Sequence, residues 1–415
     1  MKILQFSNTK NGRVFALSLA IFTFFCLTNV LRWLPVVGVQ MPFILLCYIL
    51  LLSSLSGRTQ VNKKEIVIAL TIILIFFDYL FIYMEDRLRF INAPFVKIIG
   101  FNYSIFVSFF PVLYLASGNF RLIDKRKFLH FIYLICCITA VTTIIGTFIY
   151  DEPCRTLATP DETGINALYK RSNIGGYGFI YFLVLLIPIL VRDILRERSV
   201  IKIGLLALFA FCIVRSAYTT ALLLFFVGLG IILLLSSKNW FIRIMAIVAI
   251  VAVFINVQEL LIKVGSLIGD DSYTMSTRIN MLTDYSETGD VSGDMESRQY
   301  LYALSLQAFL NNPLFGKYFS DYHIGGHSEI LDFLGSNGLV GLVILISLVV
   351  FLRRNTDLSK INTKDPFIKT TLILAFILAL LNTFLTPELY LAILIVPLLL
   401  SGKNDNHSRT KLLRL

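Results

Sequence analysis

Apolar runs of roughly 18 or more residues recur along the whole chain, separated by polar breaks. The pattern predicts an all-α polytopic membrane protein of about twelve transmembrane helices, at 13–31, 35–55, 65–83, 94–116, 128–149, 174–191, 202–215, 217–236, 240–258, 337–352, 368–386 and 387–401. Most connections are a few residues long, but 150–173 and 259–336 are not, and both fall on the same face. The second opens with a polar stretch and ends in "YLYALSLQAFL", where Leu301, Ala303, Leu304, Leu306 and Phe309 supply an amphipathic helical pattern. No internal repeat mirrors one half of the chain in the other, as two-fold transporters often require. Elaboration on one face places the chemistry or the binding there.

Composition agrees, at 57% hydrophobic and 15% charged residues. With both termini cytoplasmic, the cytoplasmic segments hold about two thirds of the 37 Lys and Arg and about a quarter of the 26 acidic residues. The net charge of +11 therefore reports topology, and no nucleic-acid partner is implied. Lys2, Lys10 and Arg13 precede the first apolar run, but Arg32 and Trp33 follow it in place of a small-residue cleavage site, so an uncleaved first span is expected. Five of the six cysteines lie within spans and only Cys154 in an outer connection, which implies no disulfide framework.

Two places carry candidate chemistry. From Lys202 to Arg215 a helix reaches about 20 Å, short of a hydrocarbon core of about 30 Å. The hairpin at "VRSAYTT" then leaves Arg215 below the outer surface, where an arginine lines a cavity or snorkels to the interface. The second place is "GGHSEILDFLGSNGLVG" at 325–341. Read as a helix capped by Ser328 or Gly326, it puts His327, Ile330, Leu331 and Leu334 on one face and Glu329 with Asp332 on another. "GSNG" at 335–338 then breaks the helix before the next apolar run. His323 and His327 are four apart with two glycines between them, and no HExxH or paired-cysteine spacing occurs, so no metal site is expected. A histidine under an outer loop fits a general base; a plain polar helix end is the competing reading.

"SRQYLYALSLQAFLNNPLFG" followed by "GGHSEILDFLGSNGLVG" resembles the shared signature of the O-antigen polymerase and ligase superfamily. There an arginine opens a helix ending in Asn-Pro-Leu-Phe-Gly, and a His-Ser or His-Asn helix closes with Gly-hydrophobic-hydrophobic-Gly. The His-Ser form is closer to the Wzy-type polysaccharide polymerases than to the ligases, and "RSNIGGYGFIYFLVLLIP" at 171–188 resembles the polymerase's first outer loop entering its helix. The chain departs from the family in "SAYTTALLLFF": threonine stands where the family has arginine, and Arg215 lies one helical turn earlier.

The resemblance implies an architecture like that of GT-C glycosyltransferases in the bacterial inner membrane, with the active site facing the periplasm. It implies transfer of a glycan from undecaprenyl diphosphate to the terminal hydroxyl of a carrier-linked repeat unit, without a metal or cofactor. A chain-length regulator is an implied partner. The leaving diphosphate calls for arginines, and Arg155, Arg171, Arg215, Arg278 and Arg298 lie in or beside the outer connections. Any one of them could equally form a surface ion pair, as Arg298 with Glu296. His327 would be the base, with Glu329 or Asp332 orienting it or binding sugar, and Tyr177, Tyr318 and Tyr322 stacking on sugar rings. A ligase joining finished glycan to lipid A core, and a flippase or other transporter with Asp78 as an intramembrane charge, are the alternatives.

Overall fold

The computed structural model describes residues 6–7, 9–55, 95–158, 164–255, 294–319 and 323–400, and among these it contains helices and no strands. In chain order the helices are α1 Lys10–Leu27, α2 Met41–Leu55, α3 Phe95–Ala116, α4 Lys125–Ile149, α5 Pro153–Thr156, α6 Ile165–Arg171, α7 Tyr177–Glu197, α8 Val200–Arg215, α9 Thr219–Ser236, α10 Trp240–Ile255, α11 Asp294–Asn311, α12 Glu329–Asn355, α13 Pro366–Leu381 and α14 Pro387–Tyr390. A π turn, Leu391–Ile395, carries α14 into α15, Val396–Leu400. Among the described residues six helical stretches are long and apolar enough to cross a bilayer: α1, Gly38–Leu55, α4, α7, α9 and α12. Helices fall on eleven of the twelve expected spans; the expected span at 65–83, with Asp78, lies outside the described residues.

Local sequence sets the helix starts. Thr9, Asp124, Ser328 and Asp365 each accept a hydrogen bond from a backbone N–H of the first turn, satisfying donors that the helix itself leaves open. Pro366 and Pro387 stand in the first turn, where the missing N–H is not needed.

Helix α7 is the axis of the bundle: its residues from Phe179 to Leu190 are all buried. It packs against α8, α9, α13 and α14. Helix α4 has two stripes. Phe128, Ile132, Cys136, Thr139, Thr143 and Gly146 face inward, while Leu134, Ile138, Val141, Ile145 and Phe148 are exposed. An exposed apolar stripe at helical spacing is the surface a bilayer covers. α2, α10 and α12 carry exposed apolar side chains of the same kind.

The polar residues sort to two ends. One end gathers Arg126, Tyr133, Asp193, Glu197 and Lys202: Lys202 meets Asp193 at 3.1 Å and Glu197 at 2.9 Å, and Arg126 meets Glu197 at 2.7 Å. Arg192 and Asp365 pair there at 3.0 Å. The other end gathers the 28–40 turn, α5, α6, the α8–α9 hairpin, the 323–332 turn and the 382–388 turn.

Three elements depart from the sequence reading. In α11 the buried positions are Ser305 and Ala308, flanked by half-buried Leu301, Tyr302 and Phe309, while Ala303 and Leu306 are exposed. The helix turns a small-residue face inward because Ser305 bonds Asp332 and Gly325, contacts that hydrophobic spacing does not encode. The expected span 368–386 ends as helix at Leu381, and Asn382 is extended at φ −149° and ψ 171°. Pro387 disfavours helix at the residue before it.

The third departure is at "GSNG", which kinks α12 rather than ending it. Gly338 takes φ 59° and ψ −162°, and helix continues to Asn355. The freed amides of Leu339 and Val340 donate to the carbonyls of Pro313 (2.8 Å) and Leu314 (3.1 Å). "NPLFG" at 312–316 thus plugs the kink. A Cβ at 338 would strike the Leu314 carbonyl, and the backbone there is essentially closed to other residues. Gly338→Ala should cost about 1–3 kcal/mol of folded-state stability. Thermal unfolding of the purified protein in detergent, beside an exposed control such as Ala303→Ser, checks it.

Candidate functional site

The turn at 382–388 divides the polar end into two neighbouring clusters, and its backbone is held by side chains from both. The Tyr302 hydroxyl donates to the Leu381 carbonyl at 2.6 Å, and Tyr177 donates to Thr383 at 2.7 Å. The Glu329 carboxylate accepts from the Phe384 N–H at 2.9 Å, while the Glu329 N–H donates to Asn382 at 3.2 Å. Where helix α13 stops, these contacts replace the lost helical ladder.

The first cluster is the 323–332 turn against α11. Asp332 organises it. One carboxylate oxygen accepts from the Ser305 hydroxyl at 2.5 Å and the Gly326 N–H at 3.2 Å; the other accepts from the Ser328 N–H at 3.0 Å. Ser328 caps α12 in return, accepting from Leu331 at 3.2 Å. Gly326, at φ 76°, makes the bend that presents its N–H.

His327 therefore lies before the cap. The expected shared face with Ile330, Leu331 and Leu334 does not form, because the helix begins two residues later, at Glu329. Its half-buried imidazole makes no hydrogen bond among the described residues and lies in the field of the Asp332 carboxylate. Glu329 and Asp332 part company: the first reaches the 384 backbone, the second the 326–328 turn. Arg298 hydrogen-bonds the Tyr302 phenol and acts electrostatically on Tyr177. Burial pushes the Tyr302 phenol above its ordinary value, against the lowering pull of Arg298, so it stays a donor.

The second cluster lines a cavity of about 410 Å³. Arg32, from the turn after α1, meets Glu388 at 2.5 Å and donates to the Cys26 carbonyl at 3.0 Å. Glu388 is 2% exposed. Gly178 makes room for it, since a Cβ there would stand 2.6 Å from the carboxylate. Asn29, Gln40, Tyr103, Lys170, Tyr177 and Thr386 complete the polar lining, with Phe25, Val36, Val107, Phe179 and Leu385 among the apolar walls. Asn29 ties this wall to the 173–174 turn, donating from its backbone to the Asn173 side chain at 2.9 Å and from its amide to the Ile174 carbonyl.

The arginines expected to act together are divided. Arg298 lies with Tyr302, Tyr177 and the 381–384 backbone. Arg171 is exposed and stands 5.4 Å from the Trp33 ring. Arg215 is buried, as the short span implies, but it does not line the cavity. It donates to the Thr147 carbonyl at 2.6 Å and lies 4.3 Å from the Phe148 ring. Arg155 is in the field of Tyr218, whose hydroxyl donates to the Cys154 carbonyl at 2.8 Å. Burial also pushes the Cys154 thiol up to about 12. Arg278 and Tyr322, and the side chains of Glu296 and Tyr318, lie outside the described residues.

Arg32 and Glu388 are the site residues that sequence reasoning missed. They lie far apart in the chain and belong to no motif. The available signal was a charged residue at one end of each of two apolar spans, the first and the last.

Among the described residues no three His, Cys, Asp or Glu side chains converge as a metal-ligand group. No protein family, curated protein or solved structure matches the chain.

Asp332→Ala should leave the Gly326 and Ser328 amides and the Ser305 hydroxyl without their acceptor and release the turn that carries His327. Limited proteolysis of the purified protein should then show a new cleavage in 323–332 that wild type resists.

Proposed function

We propose that the protein is a bilayer-embedded polysaccharide polymerase that joins carrier-linked repeat units at the membrane surface. The observation that carries the reading is His327: an imidazole without a hydrogen-bond partner among the described residues, beside the Asp332 carboxylate, at the head of a long apolar helix. Only a substrate that is itself membrane-anchored needs a base placed there. The family resemblance of 298–341 supplies the reaction. The arrangement proposed has twelve spans, both termini cytoplasmic, and the 323–332 and 382–388 turns on the periplasmic side, where lysine and arginine are sparse.

In the reaction, the acceptor sugar's hydroxyl oxygen attacks the anomeric carbon of the donor glycan. The bond from that carbon to the undecaprenyl diphosphate oxygen breaks, and the diphosphate leaves with the bonding electrons. His327 takes the hydroxyl proton, and Asp332 stabilises the imidazolium as it forms. Arg298, which bonds Tyr302 and acts on Tyr177, is the described arginine that the reading assigns to the diphosphate. Positioning two lipid-anchored reactants against one base supplies much of the rate.

Deletion of the gene, followed by gel resolution of the surface glycan, tests the reading. Loss of the long ladder with retention of lipid A core bearing one repeat unit is expected, and complementation by His327→Ala, at normal protein level, should fail. In membranes the variant should be about 10²–10⁴-fold slower. Bare core with long polymer left on the carrier would mark a ligase instead. Single units trapped on the cytoplasmic side would mark a flippase.

A further inference from the structure

The cavity beside the 382–388 turn has no role in the chemistry at His327, and its wall contains polar groups that internal packing does not use. The Tyr103 hydroxyl is buried with no hydrogen-bond partner among the described residues, although the residue is 9% exposed and lines the cavity. The Thr386 hydroxyl, also in a residue that lines the cavity, is in the same state. Two buried hydroxyls without partners among the described residues, carried by residues that line one cavity, are costly unless a ligand seated there supplies the bonds. Beside them stand the Arg32 fork and the Glu388 carboxylate, which between them offer donors and acceptors at 2.5 Å from one another.

We propose that this cavity is a sugar subsite, which holds one pyranose of the carrier-linked glycan while its neighbour reacts at His327; the assignment rests on the polymerase reading. A pyranose has apolar C–H faces and a rim of hydroxyls that both donate and accept. The lining has the same two characters. Phe25, Val107, Phe179 and the rings of Tyr103 and Tyr177 provide apolar surface; Tyr103, Thr386, Arg32 and Glu388 provide a rim of both polarities. The volume, about 410 Å³, falls in the range of small-molecule sites.

A diphosphate fits this cavity less well. Arg32 is already paired with Glu388, whose buried carboxylate repels an anion, which leaves Lys170 as the lining cation beyond that pair. Tyr177 joins the two clusters: it lines the cavity and bonds Thr383 in the turn whose next residue Glu329 holds. A glycan seated in the cavity thus lies one turn of backbone from the catalytic cluster.

The test is binding of the host's single repeat unit, released from its carrier by mild acid, to the purified protein in detergent, followed by titration calorimetry. Wild type and His327→Ala should bind alike. Tyr103→Phe and Thr386→Val, which remove one hydroxyl each and keep the shape, should each bind about 3- to 10-fold more weakly. In the membrane polymerisation assay Tyr103→Phe should raise KM for the repeat unit with little change in kcat, whereas His327→Ala lowers kcat. Unchanged binding in both hydroxyl variants would overturn the subsite, as would inorganic pyrophosphate competing for the same site. No glycan binding by wild type, in a host whose ladder nevertheless depends on the gene, would overturn the subsite and leave the polymerase reading standing. Glycan binding that the two variants weaken, with a ladder indifferent to the gene, would do the reverse.

Discussion

A helix that breaks inside apolar surroundings exposes backbone groups that only the protein can satisfy, and this constraint shapes one end of the molecule. The breaks are the kink at Gly338 and the extended turn after Leu381. Each finds substitutes: Pro313 and Leu314 carbonyls for the amides beyond the kink, and Tyr302, Tyr177 and Glu329 for the turn. Non-helical backbone at membrane depth is tolerated where it is buried in protein or lines a cavity. The polar side chains brought in to repair these breaks also make up most of the candidate site.

The opposite end is built differently. Its Lys202–Asp193–Glu197–Arg126 network and the Arg192–Asp365 pair tie neighbouring helices together with matched charges. At the 382–388 end, by contrast, His327, Tyr103 and Thr386 keep unused bonding capacity among the described residues.

Much of this was legible in the sequence, because apolar runs dictate helices whatever their neighbours. The position of Arg215 near the hairpin tip followed from counting residues alone. Reading "HSEILDFL" as one helix failed because periodicity cannot see that Asp332 draws the 326 and 328 amides back onto itself and starts the helix after His327. The same is true of α11, where Ser305 rather than leucine sets the inward face. Arg32 and Glu388 were invisible for another reason: their pairing joins the first helix to the last and depends on the whole bundle closing.

The most direct measurement uses purified protein in proteoliposomes given undecaprenyl-diphosphate-linked single repeat units. Carrier-linked dimers and longer oligomers should form, with one free undecaprenyl diphosphate released for each bond made, and His327→Ala should form few or none. Repeat units that stay single, or that only change leaflet, would contradict the assignment of glycan transfer to this site.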